Sequence, residues 1–187
     1  MSRIAIFIDA AYLRYLLAEE FTQASIDFRA LIGRIGGGRD LLRTYYYDCL
    51  PWRGDRPSQD EKERVTKRQK FYDSLTKQIP RFQVRLGKLA RRHDNGNVWY
   101  EQKQVDILLS VDLVQLASRY RITDAALIAG DSDFLPAIEL VKQEGVVVHL
   151  YHGRNPHRDL VACCDERIEI DAAFIGSVRK HKAAVDV

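Results

Sequence analysis

Cysteine is scarce in this sequence, and Cys49, Cys163 and Cys164 make neither a paired framework nor a CxxC-type zinc pattern. They read as core or near-surface thiols in a reducing compartment. No apolar run approaches the ~20 residues needed to span a bilayer. The opening run Ile4-Ala5-Ile6-Phe7-Ile8 is cut short by Asp9, and no small-residue cleavage pattern follows, so it is not a signal peptide. A cytoplasmic protein without a membrane partner is expected. Gly36-Gly37-Gly38 lacks the Lys-Ser/Thr that would make it a P-loop and reads as a flexible turn. No internal repeat is present, and a formal net charge of +3 decides nothing.

What is there suits one domain with a substantial core: 187 residues, 46% hydrophobic and 29% charged. Helix and strand patterns alternate, which predicts an α/β fold with a mostly parallel central sheet flanked by helices. Strands are expected at Arg3–Ile8, Leu41–Cys49, Phe82–Leu89, Ala125–Ala129, Val146–Tyr151 and Arg167–Ile170. Helices are expected at Ala11–Phe21, Phe28–Ile35, Glu61–Gln78, Val105–Ser118, after Gly130-Asp131-Ser132-Asp133 through Gln143, and over Leu160–Cys164. Asp94-Asn95-Gly96-Asn97 predicts a hairpin turn before Val98-Trp99-Tyr100. Strand alternation sets Tyr45 and Tyr47 on one face and Tyr46 on the other. The domain is expected over residues 1–175, with a basic helix and hairpin region at 56–102 and a flexible tail at 176–187.

Aspartates carry the chemical signal. Asp9 follows the first strand, and Asp131 and Asp133 follow the Ala125–Ala129 strand. In an open parallel sheet, ligands bind outside the carboxyl ends of the strands, so all three fall at one edge. Each taken singly could be a helix cap: Asp9 for the helix near Ala11, and Asp133 or Ser132 for the helix containing Pro136. Together on strand ends they point to a site. The Val105–Ser118 helix is apolar around almost its whole circumference, which predicts burial, yet it holds Asp106 and Asp112. A buried carboxylate must protonate, pair or bind metal. Asp106 shares a face with Ser110 and is favoured as a ligand; Asp112, about 120° around the helix, is either an outer carboxylate of the site or structural. Oxygen ligands alone favour Mg²⁺ or Mn²⁺, and such ions can activate water and neutralise a phosphodiester. The five histidines are scattered, which makes zinc catalysis a weak alternative.

These residues resemble a known pattern. An apolar strand ending in Asp9, Lys103-Gln104-Val105-Asp106 leading a helix with Asp112, and Ala129-Gly130-Asp131-Ser132-Asp133-Phe134 before Pro136 are similar to the LabA-like NYN domains, a branch of the PIN-like nuclease superfamily. The Gly145-Val146-Val147-Val148 strand and the Leu160–Asp165 segment extend the resemblance, which runs from Ile4 to about Ile170. It implies a PIN-like three-layer fold, metal-dependent cleavage of RNA, and Asp9, Asp106, Asp131 and Asp133 as the acidic site. One departure stands out. Where the family commonly follows its first aspartate with Gly, any residue, then Asn, this chain has Asp9-Ala10-Ala11-Tyr12. Tyr12 cannot supply the Asn amide, which leaves all the carboxylates and bears on the rate. Tyr12, Ser110 and Ser132 are expected to support the site.

Charge distribution says more than net charge. From Arg56 to Arg92 there are twelve basic residues against four acidic ones, so the rest of the chain is acidic on balance. That asymmetry fits a phosphate-binding flank, and also a solvated charged helix. Arg85, Lys88, Arg91, Arg92 and Lys103 are the expected nucleic-acid contacts, while Trp99 and Tyr100 either stack single-stranded bases or anchor the hairpin. The leading expectation is a Mg²⁺- or Mn²⁺-dependent endoribonuclease acting on single-stranded RNA. The alternatives are a silent RNA-binding regulator and a small-molecule phosphoesterase. The oligomeric state is open, a homo-oligomer included.

Overall fold

The structure, a computed structural model, describes residues 2–94 and 97–180, with the side chain of Gln102 excepted. The expected turn residues Asn95 and Gly96, and residues 181–187 of the expected tail, lie outside the described residues. The continuous apolar run after Arg3 becomes β1 (Arg3–Asp9), buried from Ile4 onward as a strand covered on both faces must be. It is flanked by β2 (Asp40–Asp48) on one side and β6 (Asp124–Ile128) on the other. With β3 (Phe82–Leu86), β7 (Val147–His152) and β8 (Glu166–Glu169) these form one sheet in the order β3-β2-β1-β6-β7-β8. Every neighbouring pair in it is parallel.

Period-two alternation divides the core between the two faces. Ile4, Ile6 and Ile8 point, with Tyr46, to the layer made by α1 (Ala10–Glu19), α2 (Phe28–Gly36), α3 (Gln59–Gln78) and α7 (Ala172–Val178). Ala5, Phe7 and Tyr47 point to α4 (Val105–Ser118), α5 (Leu135–Gln143) and α6 (Arg158–Cys163). The fold is therefore the three-layer arrangement expected, and the tyrosines take the expected faces, with Tyr45 stacked on Phe7 at 5.5 Å. Cys49 and Cys164 are buried and unbridged, as thiols of the core. Among the described residues no helix is long and apolar enough to cross a membrane.

Three elements differ from expectation. The stretch Phe82–Leu89 is not one strand: it breaks at Gly87, and Lys88–Asp94 becomes β4, which pairs antiparallel with β5 (Asn97–Lys103) in a separate two-stranded sheet. Helix α4 keeps its expected ends but is not buried all round. Leu109, Leu113 and Ala117 face the core, whereas Ile107 and Val111 are more than half exposed, because α5 and the sheet cover only part of its circumference. The chain also stays ordered beyond residue 175: Asp171 caps α7 by accepting from Phe174 N at 2.7 Å, Val178 is buried, and Lys180 N donates to Ser25 O.

Candidate active site

From β1 the chain winds outward through β2 and β3, then returns to lay β6 against the other side of β1. The winding direction reverses between β1 and β6, and loops leaving their carboxyl ends diverge there to open a crevice. Asp9 ends β1, and its Oδ1 caps α1 by accepting from Ala11 N at 2.9 Å and Tyr12 N at 3.2 Å. Asp131 and Asp133 leave the end of β6 in a single 3₁₀ turn. Asp131, rather than Ser132 or Asp133, is the cap here, its Oδ1 accepting from Asp133 N at 3.1 Å. Phe134, fully buried, pins that turn to the core. Asp106 enters from the first turn of α4, which packs on the same side of the sheet. Capping and a place on the crevice wall thus coexist in Asp9 and Asp131.

Two adjoining depressions hold the four carboxylates. One, of about 420 Å³, is lined by Asp9, Tyr12, Gly130 and Asp131. The other, of about 810 Å³, is lined by Asp106, Ser110, Asp133 and Gln104. Ser132 and His157 line both and form the ridge between them. Burial pushes the Asp9 carboxyl up to about 6, against the pull of the two capping amides, and the charge of Asp106 adds to the rise. Asp106 is raised by burial and then by the charges of Asp131 and Asp133. Asp106 thus feels the charges of Asp131 and Asp133 and in turn acts on Asp9, and a cation beside Asp106 would relieve that repulsion. Among the described residues, no three His, Cys, Asp or Glu side chains are already drawn together tightly enough to hold a metal ion. The donor chemistry of the four oxygen ligands suits Mg²⁺ or Mn²⁺, and closing around an ion would require their side chains to turn inward.

Asp112 takes the structural alternative. It is buried and accepts from Tyr47 Oη at 2.9 Å and from Arg85 Nε and Nη2 at 2.9 and 2.7 Å. This triad ties β2 and β3 to α4 on the flank away from Asp106. Arg85, expected to meet phosphate, is thereby engaged in a bidentate pair. Arg92 pairs with Glu101 at 2.8 Å, Lys103 lies 3.9 Å from the same carboxylate, and Arg91 sits 4.8 Å above the Trp52 ring. These three, with Lys88, belong to the β4–β5 hairpin.

Tyr12 braces the crevice. Its hydroxyl accepts from Gly153 N at 3.0 Å, linking α1 to the end of β7, and its ring lies across Gly130. A Cβ at residue 130 would stand 2.1 Å from Tyr12 Cε2, so glycine is required there. Two residues at this edge of the sheet were not anticipated. His157, the residue before α6, carries no motif that would have flagged it. Asp48 ends β2 at the same edge as Asp9, a position that could have drawn notice, but its charge is held by Arg14 at 2.5 and 3.0 Å and approached by Arg68 at 3.4 Å.

The sequence profile of the NYN domain matches residues 3–171. The chain belongs to the NYN-domain family. This NYN domain is 28% identical over 145 residues to the low amplitude and bright protein LabA of Synechococcus elongatus, covering 75% of the chain and 68% of LabA. It is 38% identical over 58 residues to an uncharacterized protein, y4oD, of Sinorhizobium fredii, covering 31% and 27% of the two chains. The crystal structure of VPA0982 from Vibrio parahaemolyticus, a protein of unknown function, superposes with a TM-score of 0.68 at 20% identity over 96% of each chain, a likeness of fold. The LabA-like resemblance is borne out, and membership places this NYN domain among PIN-like nucleases, which generally use divalent metals.

Proposed function

We propose that this NYN domain is an endoribonuclease that cleaves single-stranded RNA with Mg²⁺ or Mn²⁺ bound by Asp9, Asp106, Asp131 and Asp133. The observation that carries the reading is the arrival of these four carboxylates, from three separate segments, at the crevice where the winding of the sheet reverses. Family membership supplies the reaction class, and the excess of basic residues from Arg56 to Arg92 supports a polyanionic substrate.

In this mechanism Asp9 and Asp131 hold fixed oxygens, because each is locked by its own capping bond. Asp106 and Asp133 close the set from the larger depression. An ion held by these residues would supply an activated water and neutralise charge on the phosphodiester. Ser110 and Ser132 offer hydroxyls to a substrate oxygen, and the Tyr12 ring keeps bulk water from the Asp9 side. A silent RNA-binding regulator is the second reading. Tyr12 favours it, since a phenol committed to Gly153 stands where the family carries an amide.

The test is cleavage of labelled single-stranded RNA by the purified protein with Mn²⁺, Mg²⁺ or EDTA, beside the Asp131→Asn variant. Metal-dependent cleavage that vanishes in a folded variant is expected. Binding without cleavage, alike in both proteins, would establish the silent reading instead.

A further inference from the structure

We propose that the β4–β5 hairpin is a guide arm that stacks bases of single-stranded RNA on its Trp99 face and leads the strand to the acidic cleft. The proposal rests on the nuclease reading for its destination, while the arm itself is argued from its own geometry. Strands β4 and β5 pair only with each other. A two-stranded ribbon is marginal in water on its own, yet this one leaves Val98, Trp99 and Tyr100 43%, 47% and 51% exposed.

The register decides which face is unpartnered. Arg91 lies opposite Tyr100 and Arg92 opposite Trp99, so Tyr100 and Arg91 share one face and Trp99 and Arg92 the other. The rings of the first face already have a partner: Trp52 reaches it from the loop before α3, with Tyr100 at 5.9 Å and Arg91 stacked over the indole at 4.8 Å. On the second face Trp99 has no ring partner among the described residues. Arg92, Lys88 and Lys103 share that face by the same register.

Charge complementarity names the occupant. On the Trp99 face Lys88, Arg92 and Lys103 stand against Glu101 and, at the tip, Asp94; Glu101 pairs with Arg92 at 2.8 Å and lies 3.9 Å from Lys103, so the face keeps an excess of positive charge. An apolar protein partner would need the indole but not the cations. A nucleic-acid duplex would need the cations, but it keeps its base faces stacked and offers the indole nothing. A single strand uses both, with phosphates on the cations and an unstacked base on Trp99.

The root of the arm explains where the strand goes. Gly87 lets the two strands leave the body in close contact: a Cβ there would stand 2.6 Å from Lys103 O and 2.7 Å from Val105 Cγ2. Gln104 then turns the chain with φ +72° and lines the same cleft as Asp106 and Asp133. Trp99 stands four residues above Lys103, roughly 13 Å up the ribbon at strand rise. An RNA must therefore be long enough to span that gap before it can use both the cleft and the indole.

Binding is measured by fluorescence anisotropy in the Asp131→Asn protein, so that it is read apart from turnover. In that background, lengthening single-stranded RNA from a dinucleotide to an oligonucleotide that spans cleft and arm tightens binding about tenfold or more. Trp99→Ala abolishes most of the gain, and Trp99→Phe retains most of it. A duplex of the same length binds more weakly than the single strand. Trp99-dependent binding in a protein whose parent cleaves nothing would sink the nuclease reading and leave the arm standing. Equal affinity of Trp99→Ala and its parent for the long single strand would overturn the proposal, as would a duplex binding as tightly.

Discussion

Asp9 holds two duties that pull in opposite directions. Its Oδ1 caps α1, which favours the folded state, while burial and the nearby charge of Asp106 disfavour its ionised form. With its pKa raised from 3.8 to about 6, the folded protein binds a proton there more tightly than the unfolded chain does. The resulting cost is absent below about pH 4, grows as pH rises through the window between the two values, and is complete above about 6. Two pKa units correspond to roughly 3 kcal/mol at most. Asn caps a helix about as well as Asp and carries no charge. Asp9→Asn, in EDTA near neutral pH, is therefore expected to melt several degrees above the parent, while near pH 4 the two melt alike. A variant that melts lower at neutral pH would show that the carboxylate is not under electrostatic strain. At this scale the placement was legible, since strand ends put Asp9, Asp131 and Asp133 at one edge and the helix pattern put Asp106 in the first turn of α4. The second partner of each was not: nothing in the order of residues shows that Tyr12 lies across Gly130 or that Asp48 is neutralised by Arg14.

Helix α4 shows how an element can be correct in extent and wrong in exposure. Its ends at Val105 and Ser118 followed from the apolar pattern, but an all-round apolar helix is buried only if neighbours cover every side, and coverage depends on packing. Here the exposed Ile107 and Val111 border the acidic cleft, and the buried charge is Asp112 rather than Asp106. The Asp112–Arg85–Tyr47 triad makes a definite expectation. Arg85→Ala leaves a buried carboxylate without its counter-ion, at a cost of about 3 kcal/mol. It should appear as a lowered urea midpoint in the equilibrium unfolding curve, with single-stranded RNA affinity changed less than twofold. A large loss of affinity with unchanged stability would return Arg85 to the RNA surface. Other elements escaped for local reasons. Gly87 reads as a tolerated strand glycine until β4 is seen to leave the sheet. Helix α7 spans seven residues around Gly176, too short to show a convincing period, although its Asp171 cap and Phe174-Ile175-Val178 stripe are present in the sequence.

For the molecule as a whole, alternation of strands and helices determined the class of fold, and the rule of carboxyl-edge binding puts Asp9 and Asp131 at one edge whatever the strand order. The order itself, β3-β2-β1-β6-β7-β8, was not legible, because short loops fix which segments follow one another and not which side of β1 receives β6. That placement turns three distant segments into one crevice and sets the hairpin root on its wall. In the function proposed, the four aspartates act together on one divalent cation. The most direct measurement is calorimetric titration of the purified protein with Mn²⁺, repeated on Asp106→Asn. Expected are saturable binding that releases protons near pH 6, where Asp9 is partly protonated, and at least about tenfold weaker binding in the variant. Saturable binding of equal strength in both proteins, or none in the parent, would contradict that function.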